Sequence, residues 1–485
     1  MFFQRIKTDG IAHNAYLLGT EGIGILIDPR RDVAEYLELA RKNKLEIQFV
    51  LETHRQEDFV LGSAEMQKLA RVKVVAGNHK FFGNADIKMA HRERKEMGGL
   101  IFECLYTPGH TPESVSFAVY FKERPELTWA VFTGDALFIG EAGRTDLPDP
   151  HKTAKNAAIL YDSIQKHILP LGNQTLLYPA HGSGSVCGGN IADYDESTIG
   201  IERTYNPAFI CSKEEFIQNK LKERIPRPPY FTLMEKLNLK GGISLPGAPE
   251  LIPVLSPQTF QRKSADGIVI DTRLPEAFAG GHIRGSYSIW LAGLPVFSGW
   301  IADHKLPIYL VLERPDDLKN AFLHLTRVGV DNVAGVLAGG FEGWRDAGMP
   351  IQMSGTISAA SDKLWSGQWE VLDVRDITEY EKGHIGGAKH AYVGFLPEID
   401  GGKIEADVHK QIAVTCSVGH RASLAASILL QKGFKNVVNV IGGITAAKKL
   451  GKPLVKGPDA EKTLDAAIIE RQSGGSDSIP LDASA

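Results

Sequence analysis

Cysteine is scarce. Four residues in 485, Cys104, Cys187, Cys211 and Cys416, none of them in a C-x-x-C pair, exclude a disulfide framework and leave each thiol to be judged by its surroundings. Long apolar runs are missing too: nothing approaches the roughly 18 residues of a membrane-spanning helix. The opening MFFQRIKTDG has neither a long apolar region nor a small-residue cleavage site, so a soluble, unexported, cytoplasmic protein with reduced thiols is expected. Charge of one sign is not in excess. With 54 Lys and Arg against 58 Asp and Glu, the net charge of -4 gives no reason to invoke nucleic acid or an anionic membrane as partner.

The chain is too long for one core, and an internal repeat divides it. VIDTRLPEAFAGGHIRGSYSI, from Val269, matches VLDVRDITEYEKGHIGGAKHA, from Val371, with Asp271 and Asp373, Arg273 and Arg375, and His282 and His384 in step. Each copy reads as a strand ending in Asp-x-Arg, an acidic helix start and Gly-His-Ile-x-Gly. Downstream, LPIYLVLERPDD parallels KQIAVTCSVGHR. Two tandem α/β domains with parallel sheets follow, at 257–354 and 355–456. Upstream, residues 1–240 alternate short β runs (AYLLG, GILID, FVLET, VKVVAG, FECLYT, VSFAVYF, WAVFTGD, TLLYPAHG) with helical stretches. The first strands are hairpin-like, which predicts a mixed sheet layered by helices. Residues 241–256 form a helix-poor linker and 457–485 a tail, whose end, RQSGGSDSIPLDASA, carries no motif and is expected to be disordered.

Ligand-type residues collect where strands of the first domain end: His54 and Asp58 in LETHRQEDFVLGS, His110 in LYTPGHTPES, Asp135 in FTGDALF and His181 in YPAHGSGS. Each follows an apolar run and sits in a turn, which gathers polar side chains at one sheet edge, as a metal site requires. The region resembles the metallo-β-lactamase superfamily, which implies an αββα sandwich. Dinuclear hydrolases of that superfamily, such as glyoxalase II, hold two zinc or iron ions with T-H-x-H-x-D-H. Here Gln56 and Phe59 stand at two of the imidazole positions, and a phenyl ring cannot ligate. Two imidazoles and a carboxylate remain, His54, His110 and Asp135, a set associated with mononuclear Fe(II) oxygenases but also acceptable to zinc. The persulfide dioxygenase branch uses these three positions for a single non-haem iron, so the resemblance implies one Fe(II) per chain, with Zn as the alternative. Asp58 and His181 then become groups that orient a ligand or a bound water. Arg144, in a Gly-Arg-Thr-Asp stretch resembling the G-R-x-D of that branch, either grips a substrate carboxylate or pairs with Asp146 to fix its loop. Cys187 either carries sulfur or is a passive loop cysteine, while Cys104 and Cys211 read as buried.

The second repeat holds VTCSVGHRASLAA: an apolar strand, then Cys416, Ser417, Val418, Gly419, His420 and Arg421, then an Ala-rich helix. Such a loop turns backbone N–H groups toward the sulfur, and the helix start and Arg421 add positive potential that suits a thiolate or persulfide. With the paired Asp-x-Arg and Gly-His-Ile elements, this resembles the rhodanese family. In the first repeat Leu312 stands opposite Cys416 and Asp317 opposite Arg421, so that domain is expected to be a non-catalytic spacer or docking unit. His282 and His384 belong to the repeated scaffold.

The whole resembles bacterial fusions of a persulfide dioxygenase with two rhodanese-type domains used in sulfide detoxification. It implies that a low-molecular-weight persulfide or polysulfide and O2 give sulfite at the iron, and that Cys416 passes sulfane sulfur on to form thiosulfate; the direction of sulfur flow is open. A glyoxalase II-like hydrolase of thioesters and a non-enzymatic sulfur carrier or sulfide sensor are the alternatives. Homo-oligomerisation is left open.

Overall fold

A computed structural model describes residues 1–147, 149–405, 407–459 and 461–468, so the expected disorder of the terminal RQSGGSDSIPLDASA lies outside the described residues. The chain forms two compact units, one built on Met1–Leu245 and the other on Pro246–Thr326 and the described residues from Val330 on.

The first unit holds two six-stranded sheets. One runs in sequence order through β1 (Phe2–Thr8), β2 (His13–Thr20), β3 (Ile23–Ile27), β4 (Glu46–Leu51), β5 (Lys73–Gly77) and β6 (Ile87–Met89). Its first two pairings are antiparallel and the rest parallel. The other contains β7 (Arg94–Met97), β8 (Leu100–Tyr106), β9 (Val115–Phe121), β10 (Thr128–Gly134), β11 (Leu176–Pro179) and β12 (Ser197–Thr198), antiparallel throughout except for β10 with β11.

Alternation along the strands builds the layers. Tyr16, Leu18, Ile25 and Ile27 of the first sheet face Phe102, Phe117, Val119 and Phe132 of the second. Their neighbours Leu17, Leu26 and Val50 point outward and pack with Tyr36, Ala40 and Met66 of the helices Ala34–Lys42 and Ser63–Leu69. On the far side Val131 and Leu177 are covered by Ala157 and Leu160 of the helix Thr153–Ser163. This is the expected αββα sandwich. Since both strand faces are buried, runs such as AYLLG are apolar without a break, and each large side chain so buried contributes about 1.5–3 kcal/mol. Cys104 lies in the core between the sheets, but Cys211 corrects the expectation of burial: it is half-exposed at the end of the short helix Pro207–Ile210.

The second unit contains two five-stranded parallel sheets of the same topology. In one, β13 (Val254–Leu255), β14 (Ile268–Asp271), β15 (Tyr287–Ser288), β16 (Ile308–Val311) and β17 (Val333–Leu337) are ordered β13-β17-β16-β14-β15. The other joins β18 (Gly355–Ser358), β19 (Glu370–Asp373), β21 (Lys389–His390), β22 (Ile412–Thr415) and β23 (Val437–Ile441) as β18-β23-β22-β19-β21. A separate antiparallel pair is formed by β20 (His384–Ile385) and β24 (Leu454–Val455).

The repeated motif is the scaffold. Arg273 donates to Asp271 at 2.9 and 2.6 Å and to the Gly281 carbonyl at 2.7 Å; Arg375 does the same with Asp373 at 2.9 and 2.6 Å and Gly383 at 2.8 Å. His282 stacks on Phe278 at 3.9 Å between centroids, and His384 on Tyr380 at 3.8 Å. Both clamps tie a strand end to the helix that follows it. Among the described residues no helix is long and apolar enough to cross a membrane.

Candidate metal centre and sulfur-transfer loop

The ends of β4, β10 and β11 and the loop between β8 and β9 bring His54, Asp135, His181 and His110 into one fully buried cluster. Asp135 Oδ2 lies 3.7 Å from His54 Nε2 and 3.5 Å from His110 Nε2. Each of these donors is held from behind. His110 donates its Nδ1–H to the Arg144 carbonyl at 2.9 Å, which leaves the Nε2 lone pair facing the cluster. His54 Nδ1 meets Thr53 Oγ1 at 2.9 Å, and that hydroxyl donates to Asp28 Oδ2 at 2.8 Å, so Nδ1 is the donor to Thr53 and Nε2 is the nitrogen turned to the cluster. Asp135 receives His181 Nδ1 at 2.8 and 3.0 Å on its two oxygens. Local backbone geometry serves the same end. Asp28 is held at a left-handed φ of 48°, and Gly134, at φ 54°, approaches so closely that a Cβ there would lie 2.5 Å from Thr53 Oγ1.

Glu57 joins this group, and reading the sequence missed it. Its Oε2 stands 3.4 Å from His110 Nε2 and 3.9 Å from His54 Nε2. The position between Gln56 and Asp58 is a free letter in the motif T-H-x-H-x-D-H, so the motif carries no signal for it. The only hint is that it belongs to an unbroken polar run, Glu52 to Asp58, in a loop that leaves a buried strand.

The cluster has the polar surplus of a cation site. His54 Nε2, His110 Nε2 and Glu57 Oε2 are buried without a hydrogen-bond partner. Burial opposes an imidazolium at His54, yet Asp135, Glu57 and Asp28 hold its pKa up at about 9. Burial would likewise raise Asp135, but His181 and His54 hold it well below the usual carboxylate range. Carboxylates outweigh cations in a dry cavity, an arrangement that a bound dication relieves. The donors therefore fit a metal ion.

A second group lies beside the first. Asp58 Oδ2 is 3.1 Å from His181 Nε2, and the Cys187 sulfur is close enough that the three donor atoms fall within 4.8 Å of one another. Burial, then Asp58 and Asp135, push the Cys187 thiol well up, so this group is a protonated thiol. Phe59 fills space against His13, with ring centroids 4.2 Å apart. Of the two readings of Arg144, the contacts favour the loop clamp: its guanidinium is forked onto Asp146 at 2.8 and 2.6 Å and donates to the carbonyls of Val186, Ile225 and Pro226. No donor is left over for a substrate carboxylate.

In the second repeat Cys416 is buried, and the Gly419 N–H donates to its sulfur at 3.1 Å. Gly419 adopts φ 118°, which turns that N–H inward just before the helix His420–Gln431. Arg421, expected to add positive potential near the sulfur, has a carboxylate partner of its own. It is forked onto Glu379 at 2.6 and 2.8 Å and donates to Ser417 Oγ at 2.9 Å, while Ser417 Oγ donates to Glu379 at 2.8 Å. Val418 is exposed at the loop tip, and His420 lies against Trp290 of the first repeat, with centroids 4.8 Å apart. At the corresponding place in the first repeat Leu312 is buried and offers no sulfur.

Family models match separate parts of the chain. The metallo-beta-lactamase superfamily model matches residues 8–181, and the rhodanese-like domain model matches 256–347 and again 356–450. A Bos taurus protein named persulfide dioxygenase ETHE1, mitochondrial, is 30% identical over 237 residues, which cover 48% of this chain and 85% of that one. The chain belongs to the metallo-beta-lactamase superfamily and carries two rhodanese-like domains. Another relative of the superfamily domain, the hydroxyacylglutathione hydrolase GloC of Haemophilus influenzae, is 28% identical and covers 39% of this chain and 87% of its own. Among solved structures, a metallo-beta-lactamase from Staphylococcus aureus subsp. aureus COL superposes with a TM-score of 0.62 at 26% identity, covering 70% of this chain and 98% of that chain.

Proposed function

We propose that residues 1–240 are a persulfide dioxygenase and that the rhodanese-like domain at 355–456 is a sulfurtransferase working with it. The observation that carries the first half is the convergence of His54 Nε2, His110 Nε2 and Asp135 Oδ2 where Gln56 and Phe59 have removed two other imidazoles. The name of the Bos taurus relative supports the same reading. A single ferrous ion held by these three residues would bring a persulfide and O2 into reaction, with the balance RSSH + O2 + H2O giving RSH, sulfite and two protons. The protein's own part is positional. The Arg144 carbonyl, Thr53 and His181 fix the three donors, and the buried shell that includes Phe59 keeps bulk water from the donor cluster.

For the second half, the Cys416 thiolate attacks the sulfane sulfur of a second persulfide RSSH, breaking its S–S bond; the proton goes to the leaving sulfur, so RSH departs and Cys416 keeps an S–S⁻ group. Sulfite then attacks the outer sulfur, which regenerates the thiolate and gives thiosulfate. The Gly419 N–H stabilises the anionic sulfur, and the domain at 257–354, with Leu312 in place of the thiol, takes no part in transfer.

The GloC relative favours a second reading, hydrolysis of a hydroxyacyl thioester by a metal-activated water. An oxygen electrode separates the two. The iron-loaded chain should consume O2 when given glutathione persulfide; turnover of a hydroxyacyl thioester under nitrogen, with no O2 uptake from persulfide, would establish the hydrolase instead.

A further inference from the structure

The four donors around the centre are unequal. Four donor-to-donor separations, 3.4, 3.5, 3.7 and 3.9 Å, connect Glu57 Oε2 and Asp135 Oδ2 with the two histidine Nε2 atoms. Ligands at ordinary metal–nitrogen and metal–oxygen lengths are about 3.3–3.6 Å apart in a tetrahedron and about 2.8–3.1 Å apart at adjacent corners of an octahedron. Each carboxylate thus stands at or just beyond tetrahedral spacing from the two imidazoles, and the donors of His54, His110 and Glu57 lie within 4.8 Å of one another, so Glu57 is within reach of the cation that the two imidazoles would hold. It is 2% exposed, and its Oε2 accepts no hydrogen bond, a costly state for a carboxylate oxygen that no cation satisfies. The neighbouring Arg55 acts on Glu57 through its charge alone: its Nε donates to Glu113 at 3.1 Å, and Glu57 Oε2 accepts no hydrogen bond from it.

The other three donors are clamped from behind by the Arg144 carbonyl, Thr53 and His181. Among the described residues nothing clamps Glu57 in the same way, and it rides on the loop after β4 rather than on a strand or helix. Three donors are therefore fixed by hydrogen bonds and the fourth is not.

We infer that Glu57 is a fourth, displaceable metal ligand, which closes the coordination sphere in the resting protein and gives up its place when substrate enters. This rests on the metal site proposed above at His54, His110 and Asp135, and not on which metal or which substrate that site takes. The consequence is a shielded resting state: with Glu57 in place, a three-ligand site with open positions becomes a four-ligand one, less accessible to O2 until substrate displaces the carboxylate.

The test uses the full chain, stripped of metal and loaded with Co(II), whose visible bands are several-fold more intense in four-coordinate than in six-coordinate sites. The wild type should show the intense bands, Glu57→Ala should lose several-fold in intensity, and its Co(II) dissociation constant should rise at least ten-fold. Glu57→Gln, which keeps the side-chain shape, should fall on the same side as Glu57→Ala. Loaded with Fe(II) and exposed to air without persulfide, Glu57→Ala should lose ferrous iron several-fold faster than the wild type. Equal spectra and equal rates of iron loss in wild type and both variants would overturn the inference about Glu57 alone. Unchanged Co(II) binding in His110→Ala would instead bring down the metal site on which it rests.

Discussion

The metal centre and the Cys416 loop solve opposite electrostatic problems. At the centre, buried carboxylates and imidazoles face one another with His54 Nε2, His110 Nε2 and Glu57 Oε2 unpaired. In the loop, the charge of Arg421 is paired with Glu379, and the Gly419 N–H donates to the sulfur. The first arrangement is complete only with a cation. The second is complete without one, which suits a site whose cargo arrives as an anion and must also depart.

Separating the two sites is the sharpest way to break this contrast. His110→Ala should reduce persulfide-dependent O2 uptake at least about 100-fold, since it removes a ligand rather than a group behind one, while sulfur transfer from thiosulfate to cyanide stays within two-fold of wild type. Cys416→Ser should do the reverse, abolishing that transfer and leaving O2 uptake within two-fold, as an oxygen electrode and a thiocyanate assay would show.

A smaller effect is expected at Glu379. Burial would raise this carboxyl, but hydrogen bonds from Arg421 hold it well below its ordinary range. A depressed carboxyl contributes stability above its unfolded pKa, near 4.3, and loses it as the pH falls toward the folded value. Glu379→Gln should therefore cost about 1.5–3 kcal/mol at pH 7 in denaturant melts, the range for hydrogen bonds to a charged group, and the gap to wild type should shrink below about pH 4. The least effect is predicted for Leu312→Cys. A thiol placed in the first repeat should bring no measurable transfer in a Cys416→Ser background, because the residue opposite Arg421 is Asp317.

The fold was legible where chemistry repeats. Apolar runs marked strands buried on both faces, and the paired Asp-x-Arg and Gly-His-Ile elements exposed two copies of one scaffold, whose Arg273 and Arg375 clamps proved alike down to the carbonyl they reach. His54, His110, Asp135 and His181 could be placed together because each ends a strand or sits between two. What escaped depends on how loops fold back. Arg144 finds Asp146 two residues on, a pairing short enough to be foreseen as one of two options. Arg421 finds Glu379 42 residues earlier, across the domain, and no local pattern signals that partner. Glu57 is nearer still in sequence, three residues from His54, but its reach toward His110 depends on the path of an irregular loop, which periodicity does not specify.

A single metal held by the first domain is the central proposal. Anaerobic reconstitution of the full chain with Fe(II), followed by metal analysis and by the ratio of O2 consumed to sulfite formed from glutathione persulfide, tests it most directly. One iron per chain and one O2 per sulfite are predicted; two tightly held metals per chain, or no O2 uptake with persulfide, would contradict it.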